Sequence, residues 1–571
     1  MALTPSVAAQ RLRRSTPVLV LVVILVVLVV APIGTLVLTS FLDSPPRPGS
    51  PLGHLTLANF RALWSLGTAH AALNTLVVSL FGCVGAIVIG GGLAWLATRT
   101  DAPARWLIQT AGFMPMFVSS LVAALAWSLL ASPKMGYLNI LLNGLHIPLH
   151  LNSYSLGGMI ATFALYYSPY AYIFISSAFA VMNPELEESA LVHGASQRVI
   201  LFRITYPLVT PAILSSGLLI FALIAENFDV VQILGVPNGI ETLSSRIYNL
   251  TTSYRPNANQ AAAVGTVLMV IIFLVVSFQN RLLKRNDYAT VTGKGYRPRK
   301  VPLGRWRWVA FAATLAYLGI AIVLPVGALA VSALRRSQYV GSIADIFNVH
   351  LMSLNQFSAM LHSYAFQVGL KNSLLVAVGA AVIGGVLYFI SAFVVHKTDA
   401  PGRRILSYLA AMPLAMPALV VGLGFLWIYT RIPLPIYGTA LILILASITR
   451  FLPQGFQGMS SGLSQIGRDL EDSAYTLGAS RARTARSITL PLVRVGAVST
   501  AFLIFVLAFR ELSTTLLLFT TKTQTLTIAI YQQWSNGSWQ SVSCLSLAFS
   551  AILFVVGMIG QLSGGLRHAG M

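Results

Sequence analysis

Long apolar runs separated by short polar segments set the pattern of this chain. Val18 to Leu38 is 21 residues without a charged side chain, enough helix to cross a hydrocarbon layer of about 30 Å. It is too long and wrongly flanked for a cleaved signal, and no A-x-A site follows, so it reads as a retained first span. About twelve such runs can be placed. In the first half they lie near 17–40, 74–98, 106–131, 156–180, 211–235 and 261–280. In the second they lie near 309–334, 372–395, 405–429, 438–459, 495–520 and 541–565. Asn280 to Arg307 is polar and basic, with Gly293, Gly295, Pro298 and Pro302, and reads as a linker. The expected architecture is an all-α polytopic membrane protein. Residues 1–280 and 309–571 form two halves of six spans each, joined by a basic linker over 281–308.

The polar segments carry the strongest signal. Glu185 to Val209 reads ELEESALVHGASQRVILFRITYPLV, and Asp469 to Val493 reads DLEDSAYTLGASRARTARSITLPLV. The copies are 284 positions apart (469 − 185) without a gap, and 12 of 25 positions are identical. Unrelated sequence would match at about two. Asn74-Thr-Leu and Asn372-Ser-Leu, and Thr100-Asp-Ala-Pro-Ala-Arg105 and Thr398-Asp-Ala-Pro-Gly-Arg403, repeat at an offset of 298 (372 − 74). The first half therefore holds 14 extra residues (298 − 284), which fit the loop Ser132 to Ser155. Six spans return the chain to its starting side, so the halves are parallel repeats.

Each repeated loop, 183–209 and 467–493, has the grammar of a short helix, a turn and a second helical segment. Asn183-Pro184 suits a helix start, replaced by Gly467-Arg468 in the second copy. Glu185, Glu187 and Glu188, and likewise Asp469, Glu471 and Asp472, favour the positive end of a helix. Gly194 and Gly478 tolerate the positive φ of a helix end. The second segment is expected to stop before Pro207 or Pro491. A simple re-entry loop needs caps and a turn. It does not need the shared small residues Ser189/Ser473, Ala190/Ala474, Ala195/Ala479 and Ser196/Ser480. These permit close approach of another protein, so the chain offers two equivalent docking sites.

Composition agrees. Of 571 residues 56% are hydrophobic and 9% charged, against about 25% charged in soluble domains. The net charge of +22 could suggest nucleic acid, but its placement argues otherwise. Arg11, Arg13 and Arg14 precede the first span, and nine Lys/Arg against one acid, Asp287, lie between Arg281 and Arg307. Basic clusters beside spans are what positive-inside bias produces. Both termini and both repeated loops then face the cytoplasm, with Arg335 and Arg336 a mild exception outside. Cys83 and Cys544 fall in apolar spans without metal-ligand spacing and read as packing residues.

The repeated loops resemble the EAA motif of ABC-importer permeases, roughly E-A-A-x3-G-x9-I-x-L-P. Here it reads Glu188-Ser189-Ala190, Gly194, Ile204 and Tyr206-Pro207, then Asp472-Ser473-Ala474, Gly478, Ile488 and Leu490-Pro491. Ser for the first Ala, Asp472 for Glu and Tyr206 for Leu are mild departures. The resemblance implies a type I importer fold in the bacterial inner membrane. Residues Glu188, Ser189, Ala190, Gly194 and Ala195, with Asp472, Ser473, Ala474, Gly478 and Ala479, would then form coupling helices. Each would sit in a groove of one of two cytoplasmic ATPase subunits, and an extracytoplasmic binding protein would deliver substrate. The chain has no G-x4-G-K-[ST]: Gly293-Lys294 has Tyr288 where the first glycine belongs. ATP and Mg2+ therefore belong to the partner, no cofactor is expected in this chain, and no metal site is assigned. His193 reads as a surface residue.

Among fused permeases the chain is most similar to the ferric-iron group, through Arg510-Glu-Leu-Ser-Thr-Thr-Leu-Leu-Leu518 and Thr525-Leu-Thr-Ile-Ala-Ile-Tyr531. Glu226-Asn-Phe-Asp229 and Glu241-Thr-Leu-Ser244 echo them. Relatives carry thiamine, phosphonates or polyamines, which stay open as substrates. An ion-coupled secondary transporter would leave the duplicated loop unexplained. Intramembrane charges are costly and mark either a path or a buried pair. Glu226 and Asp229 in span five and Arg510 and Glu511 in span eleven occupy matched places (226 + 284 = 510). Two readings stand: a structural bridge of Arg510 to Glu226, or a gate in the translocation path. Arg450 is expected to snorkel at the cytoplasmic end of span ten. Met114, Met116, Met412 and Met416 read as flexible packing near prolines.

Overall fold

The computed structural model describes residues 18–45, 53–182, 185–285, 300–336, 340–431 and 435–562. The chain is all-α. Eight helices are long and apolar enough to cross a membrane, and three sharply bent pairs raise the number to eleven among the described residues.

In the first half α1 (Val18–Ser40) precedes α2 (Leu66–Arg99), a helix of 34 residues. A bent pair follows, α3 (Arg105–Phe117) and α4 (Ser120–Ala131), meeting at 98°. The extra loop forms the short α5 (Tyr137–Gly144). Next come α6 (Leu156–Val181) and α7 (Glu185–Val192). Then follow α8 (Leu201–Ala225), α9 (Leu243–Thr252) and α10 (Ala258–Arg285). At 26 residues α6 is long enough to span, but Tyr166, Tyr167, Tyr170 and Tyr172 make it less apolar. Length and apolarity alone thus do not establish the expected twelve spans. The expected linker begins inside α10, which runs to Arg285; residues 286–299 lie outside the described part.

The second half repeats the order. It comprises α11 (Trp306–Leu334), α12 (Tyr364–Lys397), and the pair α13 (Arg403–Ala415) and α14 (Ala418–Arg431), bent by 111°. The pair α15 (Ala440–Arg450) and α16 (Leu452–Ser464), bent by 56°, stands where α6 stands in the first half. Then come α17 (Arg468–Thr476), α18 (Arg486–Phe509), α19 (Leu526–Ser535) and α20 (Trp539–Leu562). Pro169 and Pro453 are repeat equivalents (169 + 284 = 453). The helix passes through Pro169 but breaks just before Pro453.

Packing interlocks the halves. The leading helix of each half lies on the second arm of the other half's bent pair: α1 on α14 and α11 on α4. One core cluster consequently runs through both. Within the first half α2 and α6 approach so closely that a Cβ on Gly90 would stand 2.2 Å from the Ser168 carbonyl oxygen. Small residues are the usual means of such approach between apolar helices.

The sequence markers at 74 and 372 now have a physical role. Asn74 Nδ2 donates to the Glu241 carbonyl (2.9 Å), and the Thr75 hydroxyl accepts from Leu243 N–H (2.9 Å). In the second half Asn372 Nδ2 donates to the carbonyls of Lys522 and Gln524 (2.9 Å each), and Ser373 accepts from Leu526 N–H (2.8 Å). Each Asn-Thr/Ser pair thus supplies the unpaired backbone groups that precede α9 or α19. Because Asn372 serves two carbonyls and Asn74 one, Asn372→Ala should cost more than Asn74→Ala. We expect about 1 kcal/mol per lost hydrogen bond, read as the ranking of Tm in detergent.

Candidate coupling and translocation sites

Helix α7 carries Glu185, Glu187 and Glu188 in its first turn, where acids favour the macrodipole. Asn183 and Pro184, expected to start it, lie outside the described residues. Both repeated helices end alike. Gly194 has φ +80° and Gly478 φ +83°. Beyond them Ala195 N–H donates to Ala190 O, and Ala479 N–H to Ala474 O, each at 3.0 Å. This is the Schellman closure, and it requires a left-handed residue. A Cβ at either glycine would meet nothing within 4 Å, so backbone conformation alone selects glycine.

Exposed apolar side chains lie on and just beyond these helices. Leu186 is 51% exposed and its repeat equivalent Leu470 54%, while Val192 and Leu477 reach 86% and 88%. Glu188, Ser189, Asp472 and Ser473 are exposed beside them, and Ala190, Ala195, Ala474 and Ala479 are half-buried. His193 is exposed, its Nδ1 2.7 Å from the Ser189 carbonyl. Glu187 differs from its neighbours. It is buried, paired with Arg99, and accepts from the Thr205 hydroxyl at 2.6 Å.

The expected stops at Pro207 and Pro491 do not occur. A π turn, Leu201–Thr205 or Ala485–Thr489, leads straight into the following helix. The wider turn immediately before each proline absorbs the clash between its ring and the preceding turn. The spans accordingly begin earlier than expected and end earlier too, at Ala225 and Phe509.

Glu226 and Arg510 therefore stand where these helices end, within the protein. The Glu226 carboxylate pairs with Arg450, both about nine-tenths buried. The expected Arg510 to Glu226 bridge is not formed, and Arg450 does not reach a surface. The break between α15 and α16 turns Arg450 inward, whereas its equivalent in unbroken α6 is Tyr166 (450 − 284). Pro453 does not signal that break by itself, because its equivalent Pro169 leaves α6 unbroken. Both guanidiniums serve the bent pairs. Arg450 Nη1 donates to the Met416 carbonyl at 3.0 Å, and Arg510 Nη1 to the Met116 carbonyl at 2.9 Å. These methionines act through their backbone oxygens; Met114 and Met412 open the short turns that end α3 and α13. Among the described residues no group of three or more His, Cys, Asp or Glu could hold a metal.

Asp229 accepts from Ser120 (2.7 Å) and from Ser513 (3.3 Å). Ser513 is its own repeat equivalent (229 + 284), so this contact marks the pseudo-twofold axis. Glu511 accepts from the Thr514 N–H at 2.8 Å. The four charges picked out in the sequence thus gather where the helix breaks of both halves meet, joined by Arg450.

The family described as binding-protein-dependent transport system inner membrane component matches residues 86–286 and 389–566. The chain belongs to this family. One match falls in each half, as expected of a fused two-half inner-membrane permease. This permease is 24% identical over 493 residues to the ferric transport system permease protein of Actinobacillus pleuropneumoniae, spanning 85% of this chain and 69% of that one. It is 23% identical over 489 residues to a Fe(3+)-transport system permease protein of Haemophilus influenzae, spanning 84% and 87%. A shorter match, 29% over 206 residues and 36% of this chain, is to a putative 2-aminoethylphosphonate transport system permease protein of Salmonella paratyphi A, of which it spans 77%.

Removing one partner of a buried ion pair leaves an uncompensated charge, at a cost of about 3–5 kcal/mol. Glu226→Gln and Arg450→Ala should each lower the permease's Tm strongly, and the double variant by clearly less than the two losses summed. Additive losses in thermal unfolding would show that the pair contributes no coupling energy.

Proposed function

We propose that this permease imports ferric iron by alternating access, driven by two separate ATPase subunits that dock on α7 and α17. One observation carries this reading. Two sequence-equivalent helices share the same Schellman end and the same leucine, Leu186 or Leu470, each more than half exposed among the described residues. An apolar residue left in the open on both copies fits a protein partner. ATP and Mg2+ would be held by that partner, and both loops and both termini would face the cytoplasm. An extracytoplasmic binding protein would dock on the opposite side and supply the substrate. Thiamine, a phosphonate or a polyamine would use the same machinery.

Iron is favoured by the two ferric relatives, which match four-fifths or more of the chain. The central cluster adds support. It holds three carboxylates, Glu226, Asp229 and Glu511, against two guanidiniums, Arg450 and Arg510, and so favours a cation when all are ionised. The Glu226–Arg450 pair would act as a gate that parts when the halves rearrange.

Tagged permease purified gently should bring down an ATPase at about two copies per chain, and Leu186→Asp with Leu470→Asp should remove it. If no ATPase is recovered even with vanadate, the coupling assignment fails. At Gly478 a Cβ would meet nothing within 4 Å but costs about 1–2 kcal/mol of backbone strain. Gly478→Val should therefore cut 55Fe(III) uptake at least tenfold at unchanged membrane insertion. Normal uptake would contradict the role of the second loop, and a loaded binding protein without iron would move the substrate to another class.

A further inference from the structure

We infer that Arg99 is the positioning residue through which motion of α7 reaches the membrane helices. The inference rests on the coupling role proposed for α7. Arg99 ends α2, is 2% exposed, and pairs with Glu187 of α7. The other Glu187 oxygen accepts from the Thr205 hydroxyl at 2.6 Å, and Thr205 closes the π turn that opens α8. One carboxylate thus holds two long helices to the docking helix.

The backbone at Arg99 adds a third connection. Its carbonyl accepts from Val301 N–H at 2.7 Å, and Asp101 N–H donates to Val301 O at 3.3 Å. The Asp101 carboxylate accepts from Leu303 N–H at 2.8 Å, just ahead of α11. At the far end of α2 Asn74 grips the Glu241 turn, and α8 ends at Glu226. Displacing α7 would therefore drag α2, α8 and the entry to the second half together.

Stability alone does not account for the pair. Among the described residues Arg99 Nη1 is buried without a hydrogen-bond partner, a cost that an apolar contact would avoid. The second half carries Lys397 (99 + 298), Glu471 (187 + 284) and Thr489 (205 + 284) at the equivalent positions. A basic, acidic and hydroxyl residue thus recur across the repeat.

The test uses the full permease with its co-purified ATPase in nanodiscs, with spin labels at exposed positions. One pair, at the exposed first-turn residues Glu185 and Asp469, reports the docking helices; a second, at Val88 and Leu374, reports α2 against α12. In the otherwise native chain, vanadate trapping should change both distances. If the first does not change, the coupling reading itself fails, whatever Arg99 does. In Arg99→Ala the first change should persist along with ATP hydrolysis, while the second falls at least threefold. Arg99→Lys should retain more of it, and Glu187→Gln, which keeps the side chain's shape, serves if Arg99→Ala does not accumulate. Native-sized changes in both pairs, or loss of both together, would overturn the inference.

Discussion

A backbone group freed inside a hydrocarbon layer has no water to turn to, and this constraint organises the permease. Spans three, nine and ten are broken, and breaks expose carbonyls. Arg510 and Arg450 answer those of Met116 and Met416, and Tyr388 that of Ile448 at 2.7 Å. Such irregular backbone is tolerated at membrane depth only where protein surrounds it. Importing a guanidinium for this purpose imports its charge, and Glu226 is the compensation beside Arg450. The polar cluster is thus at once scaffold and candidate path.

Fusion of two halves gives this cluster its asymmetry. On a twofold axis identical residues face themselves, so a carboxylate there would meet a carboxylate. Here Asp229 meets Ser513, and Glu226 and Arg510 are repeat equivalents of opposite sign. One chain encoding both halves can place complementary groups where a symmetric pair would repel. The repeated loops, by contrast, stay alike, as two equal partners would require.

Between loop and cluster runs one continuous helix. Helix α8 is 25 residues long, about 37 Å of unbroken helix. It begins at the turn beside Glu187 and ends at Glu226. Rigid elements of this kind transmit a displacement rather than absorb it, and the packing of α1 on α14 and of α11 on α4 carries each half into the other.

The sequence alone determined what is local or periodic. Apolar runs marked spans, a fixed offset revealed the repeat, and Gly194 and Gly478 announced left-handed ends, because only glycine takes that conformation cheaply. Asn74 and Asn372 were visible as markers but not as hydrogen-bond donors. Tertiary structure decided which charges meet. Arg510 looked like the partner of Glu226 by symmetry, yet a break before Pro453 brought Arg450 there instead, an outcome of packing between distant segments. Among three acids at the start of α7, nothing nearby in sequence singled out Glu187. It is buried because α2, 88 residues earlier, happens to end with Arg99 against that face of the helix.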